Sequence, residues 1–186
     1  MTLQEEQIIS DLLSTYAANG VPFANAKLLV AQAMHETKSS GFYFYSNLCK
    51  IDNNCYGMKV PSKRKSPYIS GVAKTSPPSN EGGIPYAAYR RLTDSALDRL
   101  HKALYDKINW SSTNTVDSFV SHIASKGYFG YNPTSSAVNI YKSGMSSAMN
   151  NLKGFNEPAI TSPAKKKVKW WLYVLIAVAL YSIIKK

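Results

Sequence analysis

The sequence predicts a mainly helical domain with one small β insertion, followed by a single hydrophobic helix. Three observations carry this. Apolar residues recur at helical spacing through most of residues 1–152. The pattern breaks between Tyr56 and Tyr89, where Pro61, Pro67, Pro77, Pro78 and Pro85 alternate with Gly71, Gly82 and Gly83. Near the end, Val168–Ile184 reads VKWWLYVLIAVALYSII, with Lys169 as its only charge.

The elements follow in order. Leu3, Ile8, Ile9, Leu12, Leu13 and Tyr16 give a helix over Leu3–Ala18, ended by Asn19-Gly20. Pro22 opens a second helix through Phe23, Ala26, Leu29, Val30, Ala33 and Met34 towards Glu36. The Pro/Gly-rich stretch then reads as an irregular loop with a small hairpin. Thr93 caps a helix to Ile108, Thr115–Ser125 forms another, and a last one runs over 133–152 with Pro133 in its first turn. Gly154–Ala164 is polar and Pro-rich, the composition of a linker. The division is therefore a domain at 1–153, a Pro/Lys-rich linker at 154–167 and a transmembrane helix at 168–184.

The last segment rises about 25 Å as a helix, short for a span but workable with snorkelling lysines. Trp170 and Trp171 enter it and Tyr181 leaves it, as interfacial aromatics do. Lys165–Lys167 and Lys185–Lys186 flank it. A core helix rarely carries lysine clusters at both ends, and a nuclear-targeting reading fails on the adjoining apolar run. Met1–Ser10 is acidic and lacks an apolar core, so no signal peptide is expected. Four lysines before the span and two after it leave the domain on the side where it was made.

Charge and composition exclude several classes. The chain has 186 residues, 22 basic and 11 acidic, for a formal charge of +11. Six of the basic residues lie in the tail, so residues 1–156 carry only +6. Basic charge alone is a poor argument for nucleic acid, and none is expected as a partner. Thirteen tyrosines exclude a disordered chain. Two cysteines exclude a four-Cys zinc site, and His35, His101 and His122 show no metal-ligand spacing, so no metal or cofactor is expected. Cys49 and Cys55 can close a short disulfide loop worth roughly 2 kcal/mol.

Glu36 stands out as the residue carrying chemistry. It ends an apolar helix face formed by Leu28, Leu29, Ala31 and Ala33 and precedes a Gly/Ser break. The negative end of the helix dipole and an apolar wall both disfavour the anion, as a general acid near neutral pH requires. On position alone, such a glutamate is more often simply solvated.

The flanking residues sharpen the reading. Ala31, Gln32, Ala33, Glu36, Thr37 and Gly41 are followed by Ser46-Asn47 and by Asn53, Asn54, Tyr56, Gly57, Met58 and Lys59. This block resembles the entry motif of the bacterial and phage N-acetylglucosaminidases of glycoside hydrolase family 73. Pro85–Ser95 (PYAAYRRLTDS) and Lys126–Tyr141 (KGYFGYNPTSSAVNIY) resemble the family's second and third blocks, in the same order. The resemblance implies a lysozyme-like helical fold whose cleft faces a small β-lobe. It also implies endo-β-N-acetylglucosaminidase action on peptidoglycan, with Glu36 as general acid. Of the remaining acids, Asp94, Asp98, Asp106 and Asp117 fall on predicted surface helices and Glu157 in the linker. Glu81, in SNEGGI, is then the expected second catalytic carboxylate, with Asp52 behind it; the substrate's N-acetyl group is an alternative nucleophile. Tyr128 is expected to line the cleft, Tyr56 and Tyr131 to offer rings or hydroxyls to sugars, and Asn54 to shape its turn or reach a sugar. The family's Thr-Asp-Pro is replaced by Gly130-Tyr131-Asn132-Pro133, so that aspartate is missing.

Two other activities remain open: a lytic transglycosylase giving anhydromuramyl products, and a non-catalytic wall-binding membrane protein. The expected partners are glycan strands and a lipid membrane. A wall-cutting domain left on the inner face suits a phage protein, carried in a virion membrane beside other virion proteins or acting at lysis in the bacterial inner membrane.

Overall fold

A computed structural model describes residues 1–74, 83–129 and 134–158. Among them are six helices and one two-stranded antiparallel sheet, in the order α1 (Leu3–Ala18), α2 (Phe23–Thr37), α3 (Asn47–Lys50), β1 (Ile69–Val72), β2 (Ala87–Tyr89), α4 (Leu92–Tyr105), α5 (Val116–Ser125) and α6 (Ser135–Asn151). The mainly helical architecture with its small β insertion is thus as the sequence predicts. Among the described residues no helix is long and apolar enough to cross a membrane. The predicted span at 168–184 lies outside them, as does most of the linker.

α2 is the centre of the domain. Its run Leu28–Met34 is buried on every side, the pattern of a helix enclosed by others. α1 and α6 pack against it, α4 packs on α1, and α5 on α6. α1 buries Ile9, Leu12, Leu13 and Tyr16. Its start is closed by Thr2, whose hydroxyl accepts the Glu5 N–H while the Glu5 carboxylate accepts the Thr2 N–H at 2.6 Å. The other Glu5 oxygen accepts the Tyr43 N–H at 2.6 Å and ties the loop after α2 to α1. The Asn25 amide donates to the Trp110 and Thr113 carbonyls, each at 3.1 Å, fixing the α4–α5 connection.

α4 differs from its prediction at both ends. It begins at Leu92, with Arg91 rather than Thr93 at the cap, and stops at Tyr105 because Lys107 adopts a left-handed φ of 57°. Its acids also differ from a surface reading. Asp94 and Asp98 are buried; Asp98 accepts the Tyr89 hydroxyl at 2.7 Å and forms an ion pair with Arg64. A helix packed on two sides leaves its middle acids inside, where each needs a partner. Asp98 therefore fastens the β-lobe to α4.

Two further ties shape the lobe. Cys49 and Cys55 form the disulfide that their spacing permits. Asn54 is fully buried; its amide donates to the Met58 and Ala87 carbonyls, each at 2.8 Å, and its oxygen accepts the Met58 N–H at 2.9 Å. That commits the amide to shaping the turn, the first of its two expected roles, and corrects the other, that it reaches a sugar. Tyr56 is corrected likewise. Its ring is fully buried and its hydroxyl accepts from Tyr16 at 2.6 Å, so it offers no face to a ligand.

α2 and α6 meet where Gly144 faces His35. A Cβ at Gly144 would lie 2.2 Å from the His35 ring. A Gly→Ala change inside a helix ordinarily stabilises by about 1 kcal/mol. Here the sign reverses: Gly144→Ala is expected to cost about 1–3 kcal/mol by overpacking, read as a lowered midpoint of urea or thermal unfolding.

Candidate functional site

 

Glu36 sits on the last turn of α2, half-buried, where it lines a cleft between two walls. The cleft has a volume of about 630 Å³, within the range of a ligand site. One wall is the β-lobe, with Gly57–Arg64, Ile84 and Tyr86; the other is helical, with Lys102, Tyr105 and Lys126–Tyr128. The loop at 57–60 is held beside β2 by the Val60 N–H to the Pro85 carbonyl and the Ala87 N–H to the Met58 carbonyl, both 2.9 Å.

The carboxylate is held from one side. The Tyr128 and Tyr141 hydroxyls both donate to Glu36 Oε1, each at 2.6 Å. Behind Tyr141 the chain continues inward. Gln32 Nε2 donates to the Tyr141 hydroxyl at 3.2 Å, and Arg99 Nε donates to Gln32 Oε1 at 2.7 Å. A guanidinium has no acceptor, so Gln32 must present its oxygen to Arg99 and its NH₂ to Tyr141. The Tyr141 proton is then left for Glu36. With Oε1 accepting two hydroxyl protons, an acid proton on Glu36 belongs on Oε2. That Oε2 lies beside Gly57 of the cleft wall, where a Cβ would sit 3.8 Å away in ordinary van der Waals contact; the left-handed φ of 57° is what favours glycine at this turn.

Thr37 fixes the chain just past Glu36. Its hydroxyl donates to the Ala33 carbonyl at 2.6 Å and accepts the Phe44 N–H at 3.0 Å. His35 turns away from the cleft, its ring 4.5 Å from that of Tyr141, and burial holds its imidazole below the ordinary value.

Of the residues expected from sequence, the structure brings together Glu36 and Tyr128. Asn54 and Tyr56 stand behind the cleft wall as supports. Glu81 and Tyr131 lie outside the described residues. Asp52 is buried away from the cleft, where its carboxylate accepts the Lys74 N–H at 3.2 Å. The sequence assigns no site role to Tyr141, Gln32 or Arg99, although Gln32 and Tyr141 fall within the first and third motif blocks. Gln32 did carry a signal, since residues four apart share a helix face and it stands four before Glu36. Tyr141 and Arg99 meet the site only through tertiary packing. Among the described residues, no group of three or more His, Cys, Asp or Glu side chains is placed to hold a metal ion.

No family model, curated protein or solved structure matches this chain.

The buried tyrosines make the domain sensitive to alkali. Burial pushes the Tyr16, Tyr56, Tyr89, Tyr128 and Tyr141 phenols up, and the Glu36 charge adds to this at Tyr128 and Tyr141. An unfolded tyrosine ionises near pH 10. Their contribution is therefore whole below about pH 10 and is lost as the pH rises towards the folded values. Urea unfolding from about pH 8 to pH 11 should show stability falling only above about pH 10. Phenolate absorbance should show these five of the 13 tyrosines ionising only with unfolding.

Proposed function

We propose that this chain is a peptidoglycan-cleaving glycosidase, an endo-β-N-acetylglucosaminidase related to glycoside hydrolase family 73 and lysozyme-like in fold. The observation that carries the reading is Glu36, lining the cleft with one carboxylate oxygen fixed by two tyrosine hydroxyls and the other beside Gly57 of the cleft wall. The three ordered sequence blocks agree with it. In this reading a glycan strand lies along the cleft. Glu36 Oε2 passes its proton to the glycosidic oxygen as the C–O bond breaks, and the leaving sugar departs with a new hydroxyl. The positive charge developing on the remaining sugar is met by Glu81 or by the substrate's own N-acetyl oxygen, and water completes hydrolysis. Anchoring through 168–184, in a phage virion membrane or a bacterial inner membrane, belongs to the same proposal.

A lytic transglycosylase is the second reading. Glu36 is the only carboxylate among the described residues lining the cleft, and a single acid suffices when the sugar's own hydroxyl closes the ring.

The test is digestion of purified peptidoglycan by the full chain in detergent, with fragments read by mass spectrometry. New reducing N-acetylglucosamine ends are expected, and Glu36→Gln should lower their release by about 10²–10⁴-fold. Full activity in that variant would reject Glu36 as the acid; anhydro ends would change the reaction class. Tyr141→Phe removes one of the two hydroxyl donors and should lower turnover by about tenfold, the worth of one hydrogen bond to a charged group.

A further inference from the structure

The cleft is basic around its one acid. Five cationic side chains line it: Lys59, Lys63, Arg64, Lys102 and Lys126. Two of these charges are already matched inside the protein, Arg64 by Asp98 and Lys102 by Asp106. Lys63 and Lys126 are exposed. They reach the cleft from different lobes, Lys63 from the loop after Gly57 and Lys126 from the C-terminal cap of α5, two residues before Tyr128. A cleft walled by protein on both sides focuses such charge on whatever occupies it. An uncharged sugar chain gains nothing from these lysines. A strand with anionic substituents on both sides of the scissile bond gains from each.

We infer that Lys63 and Lys126 form an anion-binding pair that selects glycan strands bearing free carboxylates, such as the ends of peptide substituents, over neutral N-acetylglucosamine polymers. This rests on the glycosidase reading for its choice of glycan. Its own content is the charge selectivity, which is measured by binding.

The experiment uses the full chain carrying Glu36→Gln, so that strands are not cut. Its ligands are soluble peptidoglycan strands freed of phosphate polymers, the same strands with their carboxylates converted to amides, and a neutral N-acetylglucosamine oligomer. At low salt the untreated strands should bind about tenfold more tightly than the amidated ones. The difference should fade at about 0.5 M salt, where screening is strong. Replacing both lysines (Lys63→Gln with Lys126→Gln) should remove most of it, and surface substitutions of this kind rarely disturb folding. Equal binding of amidated and untreated strands would overturn the inference, as would a preference that survives in the double variant. A preference appearing only when phosphate polymers are left on the strands would overturn the carboxylate assignment. Reducing-end release by the unsubstituted chain judges the glycosidase reading separately.

Discussion

A guanidinium can donate but never accept, and the geometry of the candidate site depends on that constraint. Arg99 is almost fully buried on α4, with its charged face 5.7 Å from the centre of the Phe119 ring. Its Nε–H fixes the Gln32 amide, the amide orients the Tyr141 hydroxyl, and the hydroxyl binds Glu36. Each bond points the same way, so no member can reverse without leaving a buried polar group unmatched. The carboxylate at the end of this chain is thereby held in one orientation, with its second oxygen towards the cleft.

The same logic of matched burial assembles the β-lobe, which is too small to build its own core. Asp98 gathers Arg64 and the Tyr89 hydroxyl, joining the loop before β1 and the end of β2 to α4. Asn54 serves as a side-chain substitute for backbone pairing, closing the turn that contains Gly57 and tying it to β2. The Cys49–Cys55 disulfide pins the segment that leads into it. The cleft wall opposite Tyr128 is therefore positioned by polar contacts, while the helices beneath it are held by apolar packing.

Within the helical part, small residues set how closely elements approach. Gly144 lets the His35 ring seat between α2 and α6, and His35 in turn packs edge-on against Tyr141. The position of Tyr141 over Glu36 thus depends on a glycine three residues further along α6. Such a dependence is invisible in hydrophobic periodicity, because a glycine contributes nothing to the apolar pattern.

The sequence by itself determined the helices and the break between them, because periodicity and turn residues are local properties. α1, α2, α5 and α6 lie close to where the pattern puts them, and Glu36 falls on the last turn of α2 as expected. Tyr128 was also legible, through its motif. What only the tertiary structure decided is which polar groups meet. Asp98 looked like a surface acid and is a buried clasp; Tyr56 looked like a ligand contact and is a support. Arg99 and Tyr141 stand 63 and 105 residues from Glu36 in the chain and join its network only by packing. A local pattern records which face of an element is apolar. The partner of a buried polar group is set by contacts between distant segments, and those exist only once the chain has folded.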